Sequence, residues 1–166
     1  MLFRSEGSKF AHPEAIDFAL VQVMKRDDER MREVVTLTLD HMLASPLHDR
    51  VDGGFFRFSR TPDWCTPVPE KLLEQNALVL RACLEAYQVF GKPEYRAAAE
   101  GIVRWITQAM RDPQSGAFAG SQHGEAEWCV SARDDRARRA VQLDRTVYCH
   151  ANALAVSGLV KDRKST

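Results

Sequence analysis

Apolar positions recur at helical spacing in five separate stretches of this chain, with polar or irregular sequence between them. From Pro13 to about Met24, Ile16, Ala19, Leu20 and Val23 fall on one face, and Pro13 suits a first helical turn. After the charged break KRDDER, Asp27 or Asp28 can cap a second helix running to about Ala44, which Ser45-Pro46 ends. Pro69 at a first-turn position, with Glu70 behind it, starts a third helix to about Phe90, stopped by Gly91. Pro93 opens a fourth, to about Met110, and a fifth runs roughly from Tyr148 to Lys161. Strand signals are confined to short fragments around Ala117 and Trp128. The pattern predicts an all-α fold.

The helices differ in kind. In the third, Leu73, Ala77, Leu80, Leu84 and Tyr87 form one stripe, and Leu72, Val79, Cys83, Ala86 and Phe90 form a second beside it. Such breadth predicts contacts on more than one side. The fourth has one stripe (Tyr95, Ala98, Ala99, Ile102, Ile106, Ala109), while Arg96, Glu100, Arg104 and Gln108 run down a face that reads as solvated. An inner helix is thus followed by an outer one across the turn Gly91-Lys92-Pro93, an αα-hairpin. A weak repeat extends this order. Gly-Gly-Phe at 53–55, a long loop and Asn-Ala-Leu at 76–78 are echoed by Gly-Ala-Phe at 116–118, a second long loop and Asn-Ala-Leu at 152–154. Stacked hairpins of this kind wrap into a toroid with the loops before the inner helices at one mouth. The expected fold is an α/α toroid built of αα-hairpins, with about five main helices. Its aromatic loop, DGGFFRFSRTPDWCTPVPEKLLEQNA, would pack on the N-terminal ends of the third and fifth helices, bury Phe55 and line a concave pocket.

Composition narrows the function classes. The 166 residues are 45% apolar and 28% charged with zero formal net charge, ordinary values for one globular domain. Zero net charge supplies no electrostatic drive toward nucleic acid or anionic membrane, and the basic run at 133–139 is interrupted by Asp134 and Asp135. No apolar run is long enough to span a membrane, and the N-terminus lacks a signal-peptide core. Cys65, Cys83, Cys129 and Cys149 are widely spaced without a CxxC, which fits reduced thiols and a cytoplasmic location. A zinc set of Cys129, Cys149 and His150 matches no common ligand spacing, so no metal and no cofactor is expected.

The segments GSKFAHPEAIDF, DRVDGGFFRFS, PEKLLEQNALVLRACLEAYQVFGKPEYRAAAE, GAFAGSQ and DRTVYCHANALAVSGL occur in this order from about Gly7 to Leu159. In them the chain resembles the helical-toroid portion of the thioredoxin-domain-containing proteins typified by spermatogenesis-associated protein 20. That toroid is similar to N-acylglucosamine 2-epimerases and six-hairpin glycosidases. The resemblance therefore implies an (α/α)6 architecture and a carbohydrate-like small molecule as ligand. It also implies that this chain is a single partial domain lacking the family's thioredoxin-like domain and remaining hairpins, since five helices do not close a ring of twelve.

Several polar positions depart from the family pattern. Phe56 and Val68 stand where histidine is usual, Phe58 where tyrosine is, and Gln75 where aspartate is. Gln122-His123-Gly124-Glu125 replaces Gln-Asp-Ala-Asp, and His150-Ala151-Asn152 replaces Asp-Trp-Asn. Among what remains, Glu70 is the leading candidate acid or base, with Glu125 and Asp144 as possible partners, because sugar chemistry at a glycosidic bond ordinarily uses two carboxylates. A first-turn Glu70 serving the helix dipole is the competing structural reading. Candidate substrate-binding residues are Phe55, Arg57, Trp64, Lys71, Asn76, His123, Arg145, His150 and Asn152. The two histidines can transfer protons near neutrality, and the aromatic residues can either stack on sugar faces or anchor the loop.

Three function classes follow: a carbohydrate-active toroid using Glu70, a catalytically impaired binding or scaffolding piece, and a fragment whose open apolar edges self-associate or meet a complementary toroid fragment. The substituted rim favours the second over the first and leaves enzymatic activity open.

Overall fold

The computed structural model describes residues 7–130 and 141–164. Among these residues five α-helices form the body: α1 (Pro13–Arg26), α2 (Glu29–Ala44), α3 (Leu73–Phe90), α4 (Pro93–Trp105) and α5 (Cys149–Lys164). Local chemistry sets their ends. Asp28 accepts a hydrogen bond from the Met31 N–H at 3.1 Å and caps α2. Gly91, at φ 69°, closes α3 by donating its N–H to the Tyr87 carbonyl. Beyond Trp105 the fourth helix continues to Met110 as a π-helical turn.

α3 is the centre of the packing. It meets α1, α4 and α5, and Leu73, Ala77, Val79, Leu80, Ala82, Cys83, Leu84 and Ala86 are all buried. The two apolar stripes thus face different neighbours, as their breadth requires. α3 and α5 run parallel: Glu74 lies by His150, Leu80 by Gly158 and Glu85 by Lys161. The order α1, α2, α3, α4, α5 is therefore inner, outer, inner, outer, inner. The outer helix is less solvated than its sequence suggests, because Arg96, besides Glu100, holds Asp162 of α5 at 3.0 Å in a half-buried pair.

Two small sheets accompany the helices. β1 (Lys9–Phe10) pairs antiparallel with β2 (Phe58–Ser59). β3 (Glu70–Leu72), β4 (Ser121–His123) and β5 (Gln142–Asp144) form a three-stranded antiparallel sheet that ties the two long loops together. Glu70 and Lys71 thus belong to a strand, and α3 begins at Leu73 rather than near Pro69; Glu70 does not sit on a helix dipole. The fragment near Ala117 contributes only an isolated bridge, Arg111 to Phe118, and Trp128 lies in a 3-10 turn, Ala126–Val130.

The aromatic loop supplies core. Phe55 and Phe56 are fully buried and Trp64 nearly so, with Phe56 edge-on to Trp128 at 5.2 Å. The loop crosses α4 at Gly53, whose φ is +88° and where a Cβ would lie 2.1 Å from the Gly101 carbonyl oxygen. Only glycine fits that approach.

The repeat has an atomic meaning. Asn76 accepts from the Phe55 N–H at 2.7 Å and donates to the Phe55 carbonyl at 2.9 Å. Asn152 treats Phe118 identically, at 2.8 and 3.0 Å. Each asparagine also donates to a carbonyl four residues back, Leu72 or Tyr148. In both copies, the first turn of an inner helix grips the Gly-X-Phe loop before it.

Candidate functional site

The three-stranded sheet decides which side chains reach the mouth. Successive strand residues point to opposite faces, and residues paired across an antiparallel ladder share a face. Glu70 pairs with His123 and Leu72 with Ser121, which pairs on with Asp144; all of these face a cleft. Lys71 and Gln122, one residue along, face inward, where Gln122 accepts from the Trp105 indole N–H at 2.6 Å.

The cleft has a volume of about 490 Å³. Glu70, Ser121, His123 and Asp144 reach it from the sheet, and Glu74, Tyr148 and His150 from the starts of α3 and α5; Leu72, Gly120 and Ala151 complete the wall. Glu70 Oε2 accepts from the Arg57 guanidinium at 2.8 Å, and its Oε1 is 3.5 Å from His123 Nδ1. His123 Nε2 is 2.9 Å from the Ser121 hydroxyl. On the neighbouring strand, Asp144 accepts from the Thr146 N–H at 3.0 Å and from the Tyr148 hydroxyl at 3.3 Å. Hydrogen bonds from the Thr146 side chain and N–H, joined by that of Tyr148, hold the Asp144 carboxyl below the usual range. His150 Nε2 lies 3.4 Å from Glu74 Oε1.

Of the residues singled out from sequence, Glu70, Asp144, His123 and His150 meet here, with Arg57 behind Glu70. The others do not. Glu125 is exposed beside the 3-10 turn, and Arg145 is exposed with its charge felt by Asp112. Phe55 and Trp64 are core, Lys71 is buried against Asp49, and Asn76 and Asn152 are committed to loop backbone. Each of these five spends its surface or its hydrogen bonds inside the fold. Glu74, Ser121 and Tyr148 were not anticipated. Glu74 lies four residues after Glu70, and Ser121 two before His123, but the latter spacing means a shared face only once the segment is known to be a strand.

Among the described residues, no group of three or more His, Cys, Asp or Glu side chains could hold a metal ion. The Cys129 thiol contacts the Pro67 carbonyl in the interior, whereas Cys149 is exposed. No helix among the described residues is long and apolar enough to cross a membrane.

No protein-family model matches the chain. Spermatogenesis-associated protein 20 of Mus musculus is 27% identical over 126 residues, which are 74% of this chain and 16% of that protein. Cellobiose 2-epimerase from Spirochaeta thermophila superposes with a TM-score of 0.76 at 13% identity, over 96% of this chain and 39% of the epimerase. The alpha-1,6-mannanase from Salegentibacter sp. HEL1_6 gives 0.71 at 16% identity, over 95% and 42%. The chain thus spans a small part of each protein that it matches. It has the fold of a partial (α/α)6 toroid and is similar in sequence to spermatogenesis-associated protein 20.

Proposed function

We propose that this chain is a carbohydrate-binding piece of an α/α toroid, impaired in sugar-bond chemistry. The observation that carries this reading is the cleft at the starts of α3 and α5, where carboxylates, imidazoles and a phenol converge around a small apolar wall. Such a mixture suits a polyol, whose hydroxyls need fixed donors and acceptors and whose C–H faces need apolar contact. Solved toroids of the same fold include an epimerase acting on cellobiose and a mannanase.

Catalysis on a glycosidic bond has little support in the side chains. A glycosidase acid must arrive protonated. Asp144 is held below the usual carboxylate range by its hydrogen bonds, so it serves as an acceptor. Glu70 is engaged by Arg57 and His123.

Isothermal titration of the purified chain with mannose, glucose and cellobiose tests the reading. Saturable binding with a dissociation constant of about 1 mM, roughly −4 kcal/mol, is expected, and Glu74→Ala combined with His150→Ala should abolish it. Absence of saturable binding by all three sugars overturns the proposal. Sugar turnover that disappears in Glu70→Gln, with the fold retained, would replace it with an acid/base role for Glu70.

A further inference from the structure

The geometry points to a second chemistry in the same cleft: we propose that Ser121, His123 and Glu70 form a nucleophile–base–carboxylate relay that hydrolyses small carboxylic esters. The Ser121 hydroxyl lies 2.9 Å from His123 Nε2, and the opposite ring nitrogen, Nδ1, faces Glu70 Oε1 at 3.5 Å. An imidazole held on one side by a carboxylate presents its other nitrogen as a base to the hydroxyl, the arrangement that activates a serine. The strand geometry makes it. Ser121 and His123 are two apart on β4 and so share a face, and Glu70 is directly opposite His123 in the ladder. Arg57, 2.8 Å from Glu70 Oε2, leaves Oε1 for the imidazole.

Access is compatible with turnover. The His123 side chain is 45% exposed, and Ser121, although 6% exposed, lines the cleft wall. The Tyr148 ring covers Gly120, the residue before the nucleophile, where a Cβ would come within 2.5 Å of it. Tyr148 and His150 line the same cleft.

The step balances without a cofactor. Ser121 Oγ bonds to the acyl carbon as its proton passes to His123 Nε2. The bond from that carbon to the alcohol oxygen breaks, and the leaving alcohol takes the proton from the imidazolium. Water then attacks the acyl-serine and gives its proton to His123. The carboxylic acid departs as Ser121 Oγ regains that proton. One ester and one water become one acid and one alcohol. Leu72 and Ala151 in the wall suit a short acyl group. Ser121 and His123 are the catalytic residues, and Glu70 is a positioning residue. The inference goes beyond the carbohydrate reading and needs no sugar in the cleft.

A fluorophosphonate probe with adduct mapping by mass spectrometry tests it. The expected result is a single adduct on Ser121, absent in Ser121→Ala. In His123→Gln the labelling rate should fall by at least about 100-fold, and the pH dependence shown by the parent should vanish. Glu70→Gln should displace that pH profile, and Glu70→Asp should restore part of it, which a purely structural role would not do. p-Nitrophenyl acetate hydrolysis should follow the same order. Labelling elsewhere, no labelling, or labelling of Ser121 indifferent to His123→Gln overturns the relay. The two readings fail separately: no Ser121 labelling in a chain that still binds sugar overturns the relay alone, and Ser121 labelling in a chain that binds none of the three sugars overturns only the preceding proposal.

Discussion

Lys71 Nζ lies 2.5 Å from Asp49 Oδ2, and neither side chain is exposed to solvent. The ammonium also donates to the Gly53 carbonyl at 2.7 Å. Three rings surround it, with centroids at 5.0 Å for Trp128, 5.3 Å for Phe56 and 5.5 Å for Trp105. Asp49 in turn accepts from the N–H groups of Val51 and Asp52 at 3.0 and 3.3 Å. One ion pair therefore locks the turn after α2, the Gly53–Gly54 crossing and the sheet to one another. Removing a single member of such a pair strands a buried charge and costs about 3–5 kcal/mol. Lys71→Met should destabilise by that amount in urea unfolding. Asp49→Asn combined with Lys71→Met removes both charges while keeping acceptors for the turn, so it should recover much of the loss. Equal losses in the single and double variants would mean that the pair's charge is not what matters.

Asn76 should count for more than its homologue in the repeat. Its side chain is buried and makes three hydrogen bonds, two to Phe55 and one to Leu72. Asn152 makes the same three but is only half-buried, so water can replace part of them. With roughly 1 kcal/mol per bond plus the cost of stranding a buried N–H, Asn76→Ala should lose about 3 kcal/mol and Asn152→Ala about half of that. Thermal melts with matched denaturant series give both values; equal losses would remove burial as the explanation.

That asymmetry shows what was legible in the sequence. The helices were, because a period of 3.6 with caps at Asp28 and Gly91 and a first-turn proline at Pro93 persists over many residues. The Gly-X-Phe and Asn-Ala-Leu repeat was also visible, and its function as a loop clamp follows once the asparagines are seen to bond backbone. Three-residue strands leave no periodic signal, so Glu70 and Lys71 read as neighbours with similar prospects. The pleat sends one to the cleft and the other to the interior. The same ignorance made Phe55, Trp64 and Asn76 candidates for ligand contact and hid Ser121, since burial in a loop is decided by partners far away in sequence. The buried fate of Phe55 was foreseen because the repeat placed it before each inner helix.

A pH-dependent network links the three inner helices. Arg81 of α3 lies 3.2 Å from Asp17 of α1 and 3.8 Å from Glu85, which Lys161 of α5 also binds. Burial, followed by a hydrogen bond with Glu85, pushes Asp17 up to about 6 from an ordinary 3.8. For Glu85, burial works upward, but hydrogen bonds from Lys161 and Asp17 bring it below its ordinary value. Between those two values for Asp17, the folded chain keeps a proton that the unfolded chain has released, so this group's contribution to stability falls as pH rises through the window. Asp17→Asn keeps a donor for Glu85 and removes that loss. The variant should gain about 1 kcal/mol over the parent above pH 6, the figure being discounted because the site is partly open to solvent. The gain should shrink to nothing near pH 4. Melting temperatures measured from pH 4 to pH 8 provide the check, and a pH-independent difference would refute the linkage.

The outward face of α5 sets the last expectation. Leu154 and Leu159 are half-buried against the core. The open stripe instead comprises Ala153, Val156 and Val160, with Val156 53% and Val160 47% exposed. The spacing of three and four puts them on one face of the helix. Burial is worth about 25 cal/mol per Å², so covering a few hundred Å² of such a face yields several kcal/mol of association. The isolated chain is therefore expected to self-associate weakly, at about 10–50 µM or above, since that drive is partly offset by the cost of bringing two chains together. Val156→Lys with Val160→Lys should return it to a monomer without loss of stability. Leu154→Lys should instead destabilise the fold, since that side chain packs inward. Sedimentation velocity distinguishes the outcomes: a monomer throughout that range, unchanged by the double lysine variant, would show that this face has no drive to pair.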